Sequence, residues 1–181
     1  MERRELLKMI ALLTGVAFVG TDLLLSGCNG PNEPIFSKND IAFFDEVAET
    51  IIPRTTTPGA KDAEVGRFIA LYASDCYDLL QQQCLKQGIT QLNNTSKKKF
   101  NLDFVQLAVG QRLSLLTDID NEAKKRRSEK DVLPNYFTLM KQLTLLGFFT
   151  SKVGATEVLR YLPLPGGYQG CMDYHGETAW A

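Results

Sequence analysis

Beyond residue 37, apolar residues return every three or four positions through nearly the whole chain, and no run alternates like a half-buried strand. That pattern argues against sheets and points to amphipathic helices packed on one another. Ser37 followed by Asp40 has the form of a helix N-cap, after which Ile41, Phe44, Ala48 and Ile51 share a face until Pro53 stops the helix. A Thr-rich loop from Arg54 to Ala60 closes on a Pro58-Gly59 turn. Asp62 is expected to cap a long second helix, with Val65, Phe68, Ile69, Tyr72, Cys76, Leu79 and Leu80 in one stripe and Gly88 as its stop. A more polar helix follows over Thr90 to Lys98. Leu102 to Glu122 aligns Phe104, Leu107, Ala108, Leu115 and Ile119. Asn135 to Phe149 is apolar almost all round, as a central buried helix would be. The expected fold class is all-α, a single helical bundle domain with an irregular C-terminal tail.

The tail breaks the helical pattern because Pro163, Pro165, Gly166 and Gly167 interrupt it within five residues. It is also aromatic, with Tyr161, Tyr168, Tyr174 and Trp180, which a solvated tail would not carry. Either it wraps the domain's own helices or it docks on a partner, with Tyr161, Tyr168 and Trp180 as contacts.

Ahead of the bundle, Arg3-Arg4-Glu5-Leu6-Leu7-Lys8 resembles the twin-arginine export signal, with Glu2 where that signal has Ser or Thr. Met9 to Gly20 is an apolar stretch of 12 residues, too short to span a bilayer as a helix but suited to a signal sequence. Leu25-Ser26-Gly27 before Cys28 resembles a lipobox, which makes Cys28 the lipidated first residue of the mature chain. The expected organisation is a signal peptide over 1–27, a Pro/Gly/Asn tether over 28–36, and a helical domain over 37–181. The expected location is outside the cytoplasm, lipid-anchored to a bacterial membrane and facing the periplasm or cell exterior. The twin-arginine route carries folded proteins, often with a cofactor in place. A small lipoprotein gains little from it unless it escorts something that carries one.

Charge is balanced, at 20 basic against 21 acidic residues; without the first 27 residues it is 17 against 18. No imbalance points to nucleic acid. Lys97-Lys98-Lys99 and Lys124-Lys125-Arg126-Arg127 read as solvated surface, and Asp45, Glu46 and Glu49 as the polar side of an amphipathic helix. His175 is the only histidine, so no His-based metal cluster and no Ser-His-Asp arrangement can be assembled. No Cys-x-x-Cys-His marks covalent haem, and no dinucleotide fingerprint follows a strand. No catalytic, cofactor or metal residue is expected in this chain.

With Cys28 lipidated, Cys76, Cys84 and Cys171 remain, an odd number for an oxidising compartment. Eight residues apart on one expected helix, Cys76 and Cys84 stand about 12 Å apart along its axis, too far to pair. Cys171 is the possible disulfide partner of either one, or of another chain. Alternatively Cys76 and Cys84 are small buried side chains.

These residues together resemble a family. Ile51-Ile52-Pro53, the Thr-Pro-Gly-Ala of 57–60, Phe68-Ile69 and Asp75-Cys76-Tyr77 are similar to the gluconate 2-dehydrogenase subunit 3 family. So are Gly147-Phe148-Phe149-Thr150-Ser151, Gly154, Leu159-Arg160-Tyr161, the run from Pro165 to Cys171, and Ala179-Trp180. The resemblance spans about 37–181. It implies a non-catalytic small subunit whose large partner is a flavin-bearing (FAD) dehydrogenase of the glucose-methanol-choline type, often with a cytochrome c as third component. The large subunit of that family commonly lacks its own export signal. The expected function is export, anchoring and stabilisation of such a partner, acting on a sugar, sugar acid or polyol. The alternatives are a free-standing structural lipoprotein and an assembly chaperone that leaves the complex.

Overall fold

The computed structural model describes residues 34–126, 135–164, 166–167, 171 and 173–181. Arg3, Arg4, Cys28 and Tyr168, with the proposed signal peptide, lie outside them. Five α-helices build the described part: α1 (Lys38–Ile51), α2 (Val65–Cys76), α3 (Leu79–Phe100), α4 (Val109–Arg126) and α5 (Tyr136–Thr150). A short 3-10 turn spans Phe104–Gln106 and a π turn spans Gly154–Val158. Among the described residues there is no strand, only one isolated bridge between Arg160 and Trp180, so the fold is all-α. Phe36–Ala181 form one compact unit. No helix of the described residues is long and apolar enough to cross a membrane.

The start of α1 is set locally. Ser37 Oγ accepts from Asp40 N (3.2 Å) and the Asp40 carboxylate accepts from Ser37 N (2.8 Å), a reciprocal capping box that satisfies two otherwise unpaired donors. The buried face is wider than the sequence pattern, comprising Phe43, Phe44, Val47 and Ala48. Phe36 closes edge-on over Phe44 at 5.4 Å between ring centres, and Phe43 meets Phe104 at 5.3 Å.

The acidic side of α1 is not a solvated face. Asp45 accepts from Gly66 N (2.9 Å) and so caps α2 from another helix; Glu64, the residue that precedes α2, sits at φ 50° and makes no side-chain cap. Glu49 accepts from the backbone of Arg54 and of Lys61, both at 2.9 Å, which holds the 53–64 loop down. Glu46 pairs with Lys61 (2.7 Å) and with Arg112 of α4. Burial pushes the Asp45 carboxyl above its ordinary value, and the Gly66 N–H opposes that rise. Asp62 does not cap a helix. It accepts from Gly59 N (2.8 Å) and pairs with Arg54 (3.2 Å), which closes the Pro58-Gly59 turn.

The long second helix expected from Asp62 to Gly88 is two helices. Asp78 begins α3 with a second capping box, its side chain accepting from Gln81 N (2.7 Å) while Gln81 Oε1 accepts from Asp78 N (3.2 Å). Buried Gln82 turns back and donates from Nε2 to the carbonyls of Ala73, Ser74 and Tyr77 at 3.0–3.2 Å, satisfying the exposed end of α2. Cys76 and Cys84 therefore lie on different helices. Leu79 and Leu80, expected in the buried stripe, are exposed. Gly88 does not stop a helix; it is buried within α3, where a Cβ would come 2.7 Å from the Tyr136 side chain. The polar stretch 90–98 belongs to α3 as well, which ends at Asn101 in the left-handed region (φ 57°).

The helix expected over Leu102–Glu122 is interrupted. Leu107 is extended (φ −67°, ψ 148°) after the 3-10 turn, so α4 starts only at Val109, and Gln111 Oε1 accepts from Ala108 N (3.1 Å) at that start. Phe104, Leu107, Leu115 and Ile119 are buried; Ala108 is exposed. The lysine runs are partly tied down, Lys97 to Asp103 (2.9 Å) and Lys99 to Asp118 (2.6 Å). Asp120 joins α4 to α5 through Lys141 (2.9 Å) and also pairs with Lys124 (2.7 Å), and these hydrogen bonds hold its carboxyl below the ordinary value. The helix α5 is central, packing on α1, α2, α3 and α4.

Candidate partner-binding surface

Asn135 opens α5 by accepting from Phe137 N (2.9 Å). Phe137, Met140, Leu143, Thr144, Gly147 and Phe148 then face inward. Gly147 lets α2 approach: a Cβ there would stand 2.5 Å from the Phe68 ring. The helix is nevertheless not buried all round. Gln142, Leu145, Leu146, Phe149 and Thr150 follow one another at helical spacing on the outer face, and Leu145, Leu146 and Phe149 are each 40% exposed. An outward apolar stripe on the most central helix costs solubility unless something covers it.

The last turn of α5 leads straight into the tail. Ser151 Oγ donates to Phe148 O (2.7 Å) and accepts from Gly154 N (2.9 Å), which seats the π turn on the end of α5. Gly154 is forced by that seating, because a Cβ would collide with Phe148 O. Past the turn, Arg160 N donates to Ala179 O (2.8 Å) and Ala181 N to Arg160 O (3.2 Å). The Arg160 guanidinium lies 3.7 Å from the centre of the Trp180 ring, a close cation–π stack. These contacts pin the C-terminus to the exit of the bundle. They leave an open cleft of about 200 Å³ lined by Arg160, Asp173, Tyr174, Glu177 and Trp180. His175 N donates to Glu177 (3.0 Å), and with Arg160 nearby the Glu177 carboxyl falls below its ordinary value.

The tail thus folds back on its own beginning. Its described residues do not wrap the helices as expected: Tyr161 is 56% exposed, Tyr174 80% and Trp180 51%. Of the three tail aromatics expected at a partner, Tyr161 and Trp180 are on the surface at the same end of the bundle as the α5 stripe. Cys76 and Cys171 are exposed free thiols. Cys84 is half-buried in α3, and burial pushes its thiol up. No group of three His, Cys, Asp or Glu side chains among the described residues is arranged to hold a metal ion.

Sequence reasoning missed the α5 stripe because an all-apolar helix reads as wholly buried. The signal was there in the spacing 142, 145, 146, 149, 150, whose ends are Gln and Thr.

Neither a curated protein nor a solved structure matches the chain. A family described as gluconate 2-dehydrogenase subunit 3 matches over residues 38–166, from the first residue of α1 through all five helices and into the tail. Residues 167–181, with Trp180, lie beyond the matched span. By its name the family is one of subunits within a multi-subunit dehydrogenase, and with this match over most of its length the chain belongs to the gluconate 2-dehydrogenase subunit 3 family, as an accessory subunit.

Proposed function

We propose that this chain is the non-catalytic small subunit of a membrane-associated, FAD-dependent dehydrogenase of the glucose-methanol-choline type that oxidises a sugar, sugar acid or polyol. The flavin belongs to the large subunit, and a cytochrome c accepts its electrons. The small subunit carries the folded large subunit out through the twin-arginine signal at Arg3 and Arg4, holds it at the membrane by lipid on Cys28, and stabilises it by covering apolar surface. The carrying observation is the family match over the helical domain. The uncovered stripe Leu145, Leu146 and Phe149, beside Tyr161 and Trp180, supports it as the surface such a partner would cover.

The test is purification of the tagged full chain from its native membranes in mild detergent. A stoichiometric large protein with flavin absorbance is expected, and substrate oxidation should follow that protein. The double variant Leu145→Glu, Phe149→Glu should lose it while keeping the helical circular dichroism of the wild type. A wild-type chain that comes out alone contradicts the reading.

A further inference from the structure

A second exposed apolar edge lies away from the α5 stripe. Leu102, Val105, Val109 and Leu113 are 43%, 41%, 72% and 55% exposed. Val109 and Leu113 stand one turn apart on α4 and so are neighbours on its surface. Arg112 Nη2 donates to Val105 O (2.6 Å), which draws the 3-10 turn against the start of α4 and joins the four side chains into one edge.

This edge is nearly without free charge. Between residues 101 and 117 the only charged side chains are Asp103 and Arg112. Asp103 is paired with Lys97 and Arg112 with Glu46. The exposed Lys98 on the adjoining end of α3 is the cation nearest in sequence. Neutralised charges, branched aliphatic side chains and a flanking lysine suit the boundary between lipid headgroups and acyl chains. They suit a protein interface less well, since that is where aromatic anchors would be expected.

Chain length agrees. From Cys28 to Phe36 the tether reaches at most about 30 Å. Phe43, whose ring meets Phe104 at 5.3 Å, lies about 9 Å along α1 from Ser37. A lipid on Cys28 therefore brings this edge within reach of the bilayer surface.

We infer that the edge formed by Leu102, Val105, Val109 and Leu113 rests on the membrane as a second attachment beside the lipid, fixing how the domain sits on the bilayer. The inference depends on the lipid anchor proposed above. An acyl anchor alone leaves a domain free to tumble about its tether. A second shallow contact removes that freedom and strengthens attachment.

The experiment uses the full lipidated chain carrying Trp180→Phe and a single new tryptophan at the edge (Leu113→Trp). The control is Gln83→Trp in the same background, exposed on α3 and about 25 Å along that helix from its far end. Each is reconstituted in vesicles of phosphatidylethanolamine and phosphatidylglycerol, with and without brominated acyl chains. Vesicle flotation and the mass of the Cys28 peptide are read on the same samples. The expected result is flotation of both proteins, with emission at 113 shifted to the blue and quenched roughly two-fold by bromolipid, and no quenching at 83. Equal emission at the two positions in floating, lipidated protein overturns the membrane edge and leaves the anchor standing. Unmodified Cys28 with no flotation overturns the anchor and the inference with it. Quenching at 113 that disappears when the large subunit is bound assigns the edge to the subunit interface and overturns the inference.

Discussion

Gly66 gives a sharp test of how α1 and α2 meet. A Cβ on this residue would collide with the Asp45 carboxylate and stand 2.7 Å from the backbone oxygen of Ile41, which cannot swing aside. Gly→Ala in an open helical position stabilises by about 1 kcal/mol at most. Here that gain is opposed by an overpacking cost of about 1–3 kcal/mol. The hydrogen bond from Gly66 N to Asp45 is also disturbed, and a bond to a charged group contributes about 1.5–3 kcal/mol. Gly66→Ala should therefore destabilise by about 2 kcal/mol, which lowers the melting temperature by roughly 6 °C for a domain of this size. Gly110, in the first turn of α4, has nothing within 4 Å of its would-be Cβ. Gly110→Ala should be neutral or stabilising by about 0.5 kcal/mol. Urea titration of both variants followed by circular dichroism compares the same chemical change at two sites. If Gly66→Ala proved as stable as Gly110→Ala, α1 and α2 would not approach as described.

Other expectations rest on single contacts. The raised carboxyl of Asp45 means that its contribution to stability is fully present below its ordinary value of 3.8 and is lost as pH rises through the higher folded value. Asp45→Asn keeps an oxygen for Gly66 N, so its stability relative to wild type should improve as urea midpoints are taken from acid to neutral pH; a flat or opposite trend refutes this cause. Asp45→Ala removes the cap and should cost about 1 kcal/mol throughout. Gln82→Glu places a carboxylate against three carbonyls and should cost at least about 2 kcal/mol at neutral pH, partly recovered in acid where the protonated side chain can donate again. Equal stability for Gln82→Glu at both pH values would remove Gln82 from the α2–α3 junction. Cys28→Ser should abolish lipid-dependent partitioning into detergent and leave the first 27 residues uncleaved or cut elsewhere, read by intact mass. A wild-type chain with no lipid on Cys28 contradicts the anchor.

Features encoded over a few residues were legible in the sequence. Ser37 and Asp40 announce α1, Pro53 ends it, and the apolar run before Ser151 marks α5 as central. The α2–α3 break was also written locally, as Asp78-x-x-Gln81, but the apolar spacing of Val65 through Leu80 continues across it and hides it. Leu79 and Leu80 fit the stripe in register and are nonetheless exposed. Gly88 resembles a stop because glycine disfavours helix. Its place inside α3 is set by Tyr136, 48 positions away, and the acids of α1 are likewise explained by residues as distant as Arg112. Such contacts exist only once the chain is folded. In the candidate surface, the tail aromatics were visible by composition, whereas the α5 stripe required knowing which side of the helix the bundle covers.

The claim that this subunit carries and holds a partner is tested most directly by moving the export signal and watching the other protein. Arg3→Lys with Arg4→Lys keeps the charge but removes the planar, forked guanidinium groups that a receptor can read. Fractionation of cells carrying the double variant, blotted for the large flavoprotein subunit, should find that protein retained in the cytoplasm with its flavin although its own sequence is unchanged. Undiminished large subunit outside the cytoplasmic membrane would show that this chain is not its carrier.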